Sequence, residues 1–202
     1  MREMRIVANV ADLPTTTFGH RSMMWWGTLG FIVIEGSTLF ICAGCYFYLR
    51  KNFLTWPPEG IFRPALTAPA VQAALMLGSN LPMALVDRAA RRLDLQPVRA
   101  GMLICSLLAV VMCAVRVLEF QALHVRWDSG AYGSVAWATL TAHSTLLLLE
   151  TVESLVFTAL LFSPSLEQRD LSAAVDNAVY WYFMTLAWLP LAAIVFLSPY
   201  LT

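Results

Sequence analysis

Five long apolar runs, separated by short polar connections, constrain this chain more than any other feature of its sequence. About 20 consecutive apolar residues suffice for a helix to cross the hydrocarbon core of a bilayer. The runs that reach this length are 24–48, 65–86, 100–120, 135–162 and 179–200. They lack the alternation of membrane β-strands, and lipid cannot satisfy an open backbone. The sequence therefore predicts an all-α integral membrane bundle of five transmembrane helices.

The composition indicates the same class of protein. Hydrophobic residues make up 59% of the 202 positions and charged residues only 13%, which is too few for a fully solvated surface. The net charge is zero, and no basic cluster indicates a nucleic-acid partner. The N-terminal segment has no apolar core of signal-peptide length, so insertion should use the first span itself. We predict a single transmembrane domain over residues 1–202.

The distribution of basic residues predicts the orientation of the bundle. Arg116 lies within a span and is set aside. The side that carries the N-terminus has Arg2, Arg5, Arg21, Arg88, Arg91, Arg92, Arg99 and Arg169. The opposite side has Arg50, Lys51, Arg63 and Arg126. Because cytoplasmic loops are enriched in arginine and lysine, we expect the N-terminus in the cytoplasm and the C-terminus outside.

Glu35 is the first candidate functional residue, since it lies near the middle of the first apolar run. A charged side chain at the centre of a bilayer costs about 2.5 to 3.5 kcal/mol even on insertion scales. Such a group normally faces protein, lipid head groups or water. Glu35 is therefore the first place to look for function in this chain.

Two further sets of ionisable residues fall inside predicted spans. Arg116 and Glu119 are three positions apart on one helix, a spacing that favours a structural ion pair. His143, Glu150 and Glu153 share one broad helical face, since positions three, four or seven apart lie together. That polar face is typical either of a proton or water path or of a seam packed against a partner subunit.

Glu35 and Glu150 are also predicted to meet. With alternating helix directions they fall at similar depth, so they can approach each other across the bundle. Adjacent carboxyl groups in a medium of low dielectric constant rarely both ionise, so at least one should hold a proton.

The sequence indicates no metal site and no catalytic residues in this chain. Of its three histidines only His143 lies inside a span, so no pair can hold a haem or a copper ion. All four cysteines fall in apolar runs, as expected for thiols that behave as small hydrophobic groups. Phosphate loops and dinucleotide fingerprints are absent. These features favour a supporting membrane subunit.

Several segments, in order along the chain, resemble one known family. WWGTLGFIVIEGSTLF at 25–40, followed by FYLR and WPP, is similar to the region around the buried acid of haem-copper oxidase subunit III, or cytochrome c oxidase subunit 3. VLEFQ at 117–121 resembles the Glu-aromatic end of a span in that family. AYGSVAWATLTAH places His143 at the expected distance from YGS. The ending YWYFMTLAWLPLAAIVFLSPYL resembles the family's last helix.

The five predicted spans match the short bacterial form, which lacks the first two of seven helices. One departure concerns the fourth span. The family usually has a second histidine three residues after the first, whereas this chain has Leu146 there and carries Glu150 and Glu153 further on.

The resemblance implies a non-redox accessory subunit of a respiratory terminal oxidase in the bacterial inner membrane. It would bind no haem or copper itself; these groups are expected in its partners, the catalytic subunit I and subunit II. It would hold structural phospholipid in a cleft and support proton uptake, and Glu35 would be the acid that faces this cleft, as a proton-path or lipid-cleft residue. Trp25 and Trp26 would border the lipid, and Arg21 would pair with a phosphate group. Interfacial anchoring is the alternative role for these three.

Two other functions remain open at this point. The first is an accessory subunit of a nitric oxide reductase, since short five-helix relatives occur beside such enzymes. The second is an independent proton-coupled transporter that uses Glu35 and the Glu150/Glu153 pair.

Overall fold

Five long helices form the architecture of the chain. The computed structural model describes residues 17–163 and 171–201. The helices are α1 (Met23–Arg50), α2 (Thr67–Arg91), α3 (Leu95–Ala122), α4 (Ala131–Leu161) and α5 (Ser172–Ala192). Each belongs to a segment long and apolar enough to cross a membrane, and the described residues contain no β-strand. The predicted class, an all-α bundle of five membrane helices, is confirmed.

The last span extends beyond α5. A π-helical turn at Ala193–Leu197 and a 3-10 turn at Ser198–Tyr200 continue the same rod, so this span reaches from Ser172 to Tyr200. Pro190 lies just before the change in helical type. A proline inside a helix removes one backbone donor, which is consistent with the altered hydrogen-bonding pattern of this final segment.

The helices extend further than the apolar runs predict, mainly at the end that carries the N-terminus. The second span continues to Arg91 rather than 86, the third begins at Leu95 rather than 100, and the last begins at Ser172 rather than 179. These additional turns are polar. Hydropathy marks only the part of a helix that sits in hydrocarbon, whereas backbone hydrogen bonding continues a helix into the interface.

The helices pack in a closed order in which α1 contacts α4 and α5, α4 contacts α3, α3 contacts α2, and α2 contacts α5. Helices α4 and α5 also touch each other across this ring. Helices α2 and α3 approach each other closely at Gly101, where an added Cβ atom would overlap Cγ2 of Val86. Consequently α2 to α5 bury a common core, while α1 lies against one side of it.

The large buried side chains come mostly from α2, α3, α4 and α5, with Tyr46 from α1. Trp181 and Trp188 of α5 and Met76 and Met83 of α2 are fully buried. The indole Nε1 of Trp181 donates to Oγ of Ser79 across 3.0 Å, so the polar atom of this buried ring has a partner. In contrast, α1 has only two buried residues, and most of its large apolar side chains face outward.

Polar contacts tie the helix ends together. At the N-terminal side, Nε of Arg99 donates to the carbonyl of Leu161 over 2.7 Å and so satisfies one free group at the end of α4. At the other side, the amide of Ala65 donates to the carbonyl of Ala122 over 2.8 Å. These contacts fix the register of neighbouring helices and thereby the depth of the polar residues they carry.

Candidate functional site

The candidate site is a cleft of about 560 Å³ between α1, α4 and α5. It extends along α1 from Met24 to Glu35, toward the end of the bundle that is predicted to be cytoplasmic. Most of its wall is apolar. The polar side chains that line it are Glu35, Glu150, Glu153, Asp176, Asn177 and Tyr180. No basic residue is among the described residues of the lining.

Glu35 projects from the middle of α1, twelve residues after Met23 and therefore roughly 18 Å along the helix. The phenol of Tyr180 on α5 donates a hydrogen bond to its Oε2 over 2.5 Å. Both side chains are half-buried. The carboxyl group thus faces protein and the cleft, where a polar partner offsets part of its desolvation.

Glu150 is more deeply buried in the protein than Glu35 and is only 1% exposed. Its Oε1 accepts hydrogen bonds from Nδ2 of Asn177 at 2.8 Å and from Oγ of Ser154 at 3.1 Å. Its Oε2 has no hydrogen-bond partner. The two oxygens of one carboxyl group therefore have very different surroundings.

Two further acids complete the polar lining. Glu153 is more exposed than Glu150 and lies one helical turn nearer to the C-terminal end of α4. Asp176 of α5 is 5% exposed, and its Oδ2 has no hydrogen-bond partner. Because α4 and α5 run in opposite directions, these two acids lie nearer to the predicted cytoplasmic end than Glu35 and Glu150 do.

Asp176 and Asn177 were not predicted from the sequence. They precede the predicted fifth span, in a segment that reads as a polar connection. The structure places both inside α5, which begins at Ser172. One feature of the sequence could have identified Asp176: it lies four residues before Tyr180 and therefore on the same helical face.

A second polar cluster lies inside the bundle, apart from the cleft. Nη1 of Arg116 is 3.0 Å from Oε2 of Glu119, and both side chains are at most 5% exposed. Nη2 of Arg116 donates to Nδ1 of His143 over 3.1 Å, so Nε2 carries the proton of a neutral ring and donates to the carbonyl of Met184 over 3.0 Å. The guanidinium carbon lies 4.0 Å from the ring centroid of Trp188.

The structure divides the predicted polar face of α4 between these two places. Glu150 and Glu153 line the cleft, whereas His143 belongs to the Arg116 cluster two turns away. Glu35 and Glu150 line the same cleft, as their similar depth predicts. His143 therefore lies apart from the cleft acids, with its ring enclosed between α3 and α5.

The three predicted lipid contacts lie at the start of α1. Arg21 occupies a 3-10 turn, Gly19–Arg21, and is exposed. Trp26 is 58% exposed, and its Nε1 donates to the carbonyl of His20 over 3.0 Å. Trp25 is half-buried and packs edge-on against Trp26 with ring centroids 5.0 Å apart. This arrangement is typical of an interfacial aromatic belt.

No group of three or more metal-binding side chains is assembled within the described ranges, 17–163 and 171–201. All four cysteines are free thiols on α1 or α3. Cys42 and Cys45, whose spacing resembles a redox motif, are at least partly exposed on α1.

The structure belongs to the class of helical membrane bundles that carry ionisable groups inside the membrane and no metal centre in their described part. Comparison with known proteins specifies the family. The family model for cytochrome c oxidase subunit III matches residues 7–200. A similar protein is cytochrome c oxidase subunit 3 of Synechocystis sp., 23% identical over 183 residues, which are 89% of this chain and 77% of the relative.

The chain belongs to the cytochrome c oxidase subunit III family. It is therefore an accessory subunit of a haem-copper oxidase of the respiratory chain and a multi-pass membrane protein. The resemblance stated from the sequence is confirmed. Subunits of this family generally have no redox centre of their own.

Proposed function

We propose that the cleft between α1, α4 and α5 supports proton uptake by the oxidase while oxygen is reduced to water. The observation that carries this proposal is Glu35 itself, an acid near the middle of a membrane helix that is bonded to Tyr180. Intramembrane carboxyl groups are costly and usually mark proton or ion pathways. The cleft leads from this acid toward the predicted cytoplasmic end, where protons would enter.

The proposed assembly rests on membership of the family, and the exposed apolar surface of the bundle is compatible with it. The chain packs as a single domain on catalytic subunit I and subunit II, which carry the haem and copper groups. The exposed apolar side chains of α1 include Phe31, Ile34 and Phe40, each more than 60% exposed. Lipid tails or partner helices would cover them. The complex lies in the bacterial inner membrane with the N-terminus of this chain in the cytoplasm.

Phospholipid is the proposed occupant of the apolar part of the cleft. Its wall includes Met24, Phe31, Leu149 and Val156, which suit acyl chains rather than water. Arg21 is exposed near the mouth and would bind the phosphate group of a lipid whose tails enter the cleft. The lipid would limit access of water to the cleft.

The test is the lifetime of the oxidase during turnover. Glu35→Ala should assemble and start at a normal rate, then lose activity faster than wild type, because proton delivery fails more often per turnover. Tyr180→Phe should shorten the lifetime in the same direction but less, since it removes only the hydrogen bond. Glu59→Ala, at an exposed loop acid, is the matched control.

Equal lifetimes for wild type and Glu35→Ala, with normal assembly, would contradict the proposal. The purified complex should also show haem, copper and oxygen consumption. Haem with non-haem iron and nitric oxide consumption would contradict the assignment to an oxygen-reducing complex.

A further inference from the structure

The two inner acids of the cleft have different hydrogen-bond partners. Tyr180 donates to Oε2 of Glu35 over 2.5 Å. At Glu35 the protein thus supplies a donor to one carboxyl oxygen from another helix.

Glu150 is bonded on one oxygen only. Asn177 and Ser154 both donate to Oε1, while the buried Oε2 has no partner and the residue borders the cleft. An ionised carboxylate would leave negative charge on this bare oxygen, at the cost of burying an unsatisfied charged group. A protonated carboxyl group instead uses Oε1 as its carbonyl oxygen and places the hydrogen on Oε2.

The ionisable groups near Glu150 also oppose a charge there. Glu35 of α1, Glu153 of α4 and Cys105 of α3 interact with it electrostatically. Asp176 and Tyr180 of α5 line the same cleft. None of these described groups is basic. On α2, Arg91 interacts with Asp176. A second carboxylate beside Glu35 would therefore meet like charge in a medium of low dielectric constant.

We propose that Glu150 is the proton-holding group of the cleft and carries an exchangeable proton on Oε2 at neutral pH. Glu150 can release this proton to water in the cleft and remain as a carboxylate bonded to Asn177 and Ser154. It is then reprotonated from the predicted cytoplasmic end. Its part in oxidase turnover rests on the proposed function, whereas its protonation state does not.

Infrared spectroscopy of the purified complex tests this assignment. The difference spectrum at neutral pH, wild type minus Glu150→Gln, should show one carbonyl band of a protonated carboxyl group. This band should shift in D₂O. The same band should remain in the Glu35→Gln variant, which identifies Glu150 as its source. Glu59→Gln, at an exposed acid outside the cleft, is the matched control.

A carboxylate band lost in Glu150→Gln, or loss of the band assigned to Glu150 in Glu35→Gln, would overturn the proposal. Glutamine preserves the carbonyl acceptor at Oε1 and is the neutral analogue of a protonated acid, so assembly should be retained. If the variant does not assemble, Asn177→Leu provides a second test. Loss of the Asn177 donor should shift the same band to higher frequency, and an unmoved band would contradict the assignment.

The lifetime during turnover separates this inference from the proposed function. A protonated Glu150 together with a normal lifetime of Glu150→Gln would retain the assignment and refute its role in proton uptake. An ionised Glu150 together with a short lifetime of Glu35→Ala would refute the assignment and retain the proposed function of the cleft.

Discussion

Replacing Arg116 by methionine should destabilise the bundle more than any other single charge removal in its interior. The guanidinium group has three buried partners, which are Glu119, His143 and the ring of Trp188. Methionine fills much of the space of the arginine stem but offers no donor and no charge. The substitution therefore leaves the Glu119 carboxyl group buried without its cation.

The expected loss follows from these contacts. Removing one partner of a buried ion pair costs about 3 to 5 kcal/mol. The contact with Trp188 contributes up to about 2 kcal/mol when desolvated, and an unsatisfied Nδ1 of His143 costs about 1 to 3 kcal/mol. These contributions share one group and are not additive. We therefore expect a total loss of about 3 to 5 kcal/mol.

The effect is measured as the midpoint of thermal dissociation of the chain from the purified complex. Wild type, Arg116→Met, Glu119→Leu and the double variant are compared. Arg116→Met and Glu119→Leu should each lower the midpoint strongly. The double variant should be more stable than either single variant, since no uncompensated charge stays buried. The coupling of the two sites is then read from the double-mutant cycle.

Arg126→Met is the matched control. Nη2 of Arg126 lies 2.8 Å from Oδ2 of Asp128 in an exposed loop, and this donation lowers the pKa of Asp128 below its usual value. Exposed pairs contribute little to stability, so the midpoint should not move. The reasoning is refuted if Arg116→Met behaves like this control, or if the effects of the two buried substitutions simply add.

Two smaller changes test the packing at the outer end of the bundle. Gly133→Ala should lower the midpoint because the new Cβ would overlap the carbonyl oxygen of Arg126, whereas Gly44→Ala, with open space around it, should not. Tyr46→Phe should cost about 1 to 3 kcal/mol, because its buried hydroxyl bonds to two other side chains. Tyr48→Phe on the exposed face is its control. If either variant has the same midpoint as its control, the stabilising role expected for the corresponding contact is refuted.

Local information accounts for what could be predicted of the site. Arg116 and Glu119 are three residues apart, so any α-helix brings their side chains together, and the structure shows the contact. Glu35 stands out because an acid in the middle of a long apolar run is costly wherever the helix packs.

Other features depend on contacts distant in sequence. Tyr180 reaches Glu35 across 145 positions, and no periodicity in either helix specifies that pairing. Asp176 and Asn177 enter the cleft because α5 begins a full two turns before its apolar run. His143 and Glu150 share a face of α4, yet neighbouring helices divide them between two polar sites.

The sequence by itself determined the class, the five membrane helices and the family, because a bilayer accepts few structures and apolar length reports directly on them. Only the tertiary structure decided which acids share a cleft and which oxygen of Glu150 is left without a partner. Helical periodicity specifies the face on which a residue lies. The order and register of the packed helices specify what that face meets.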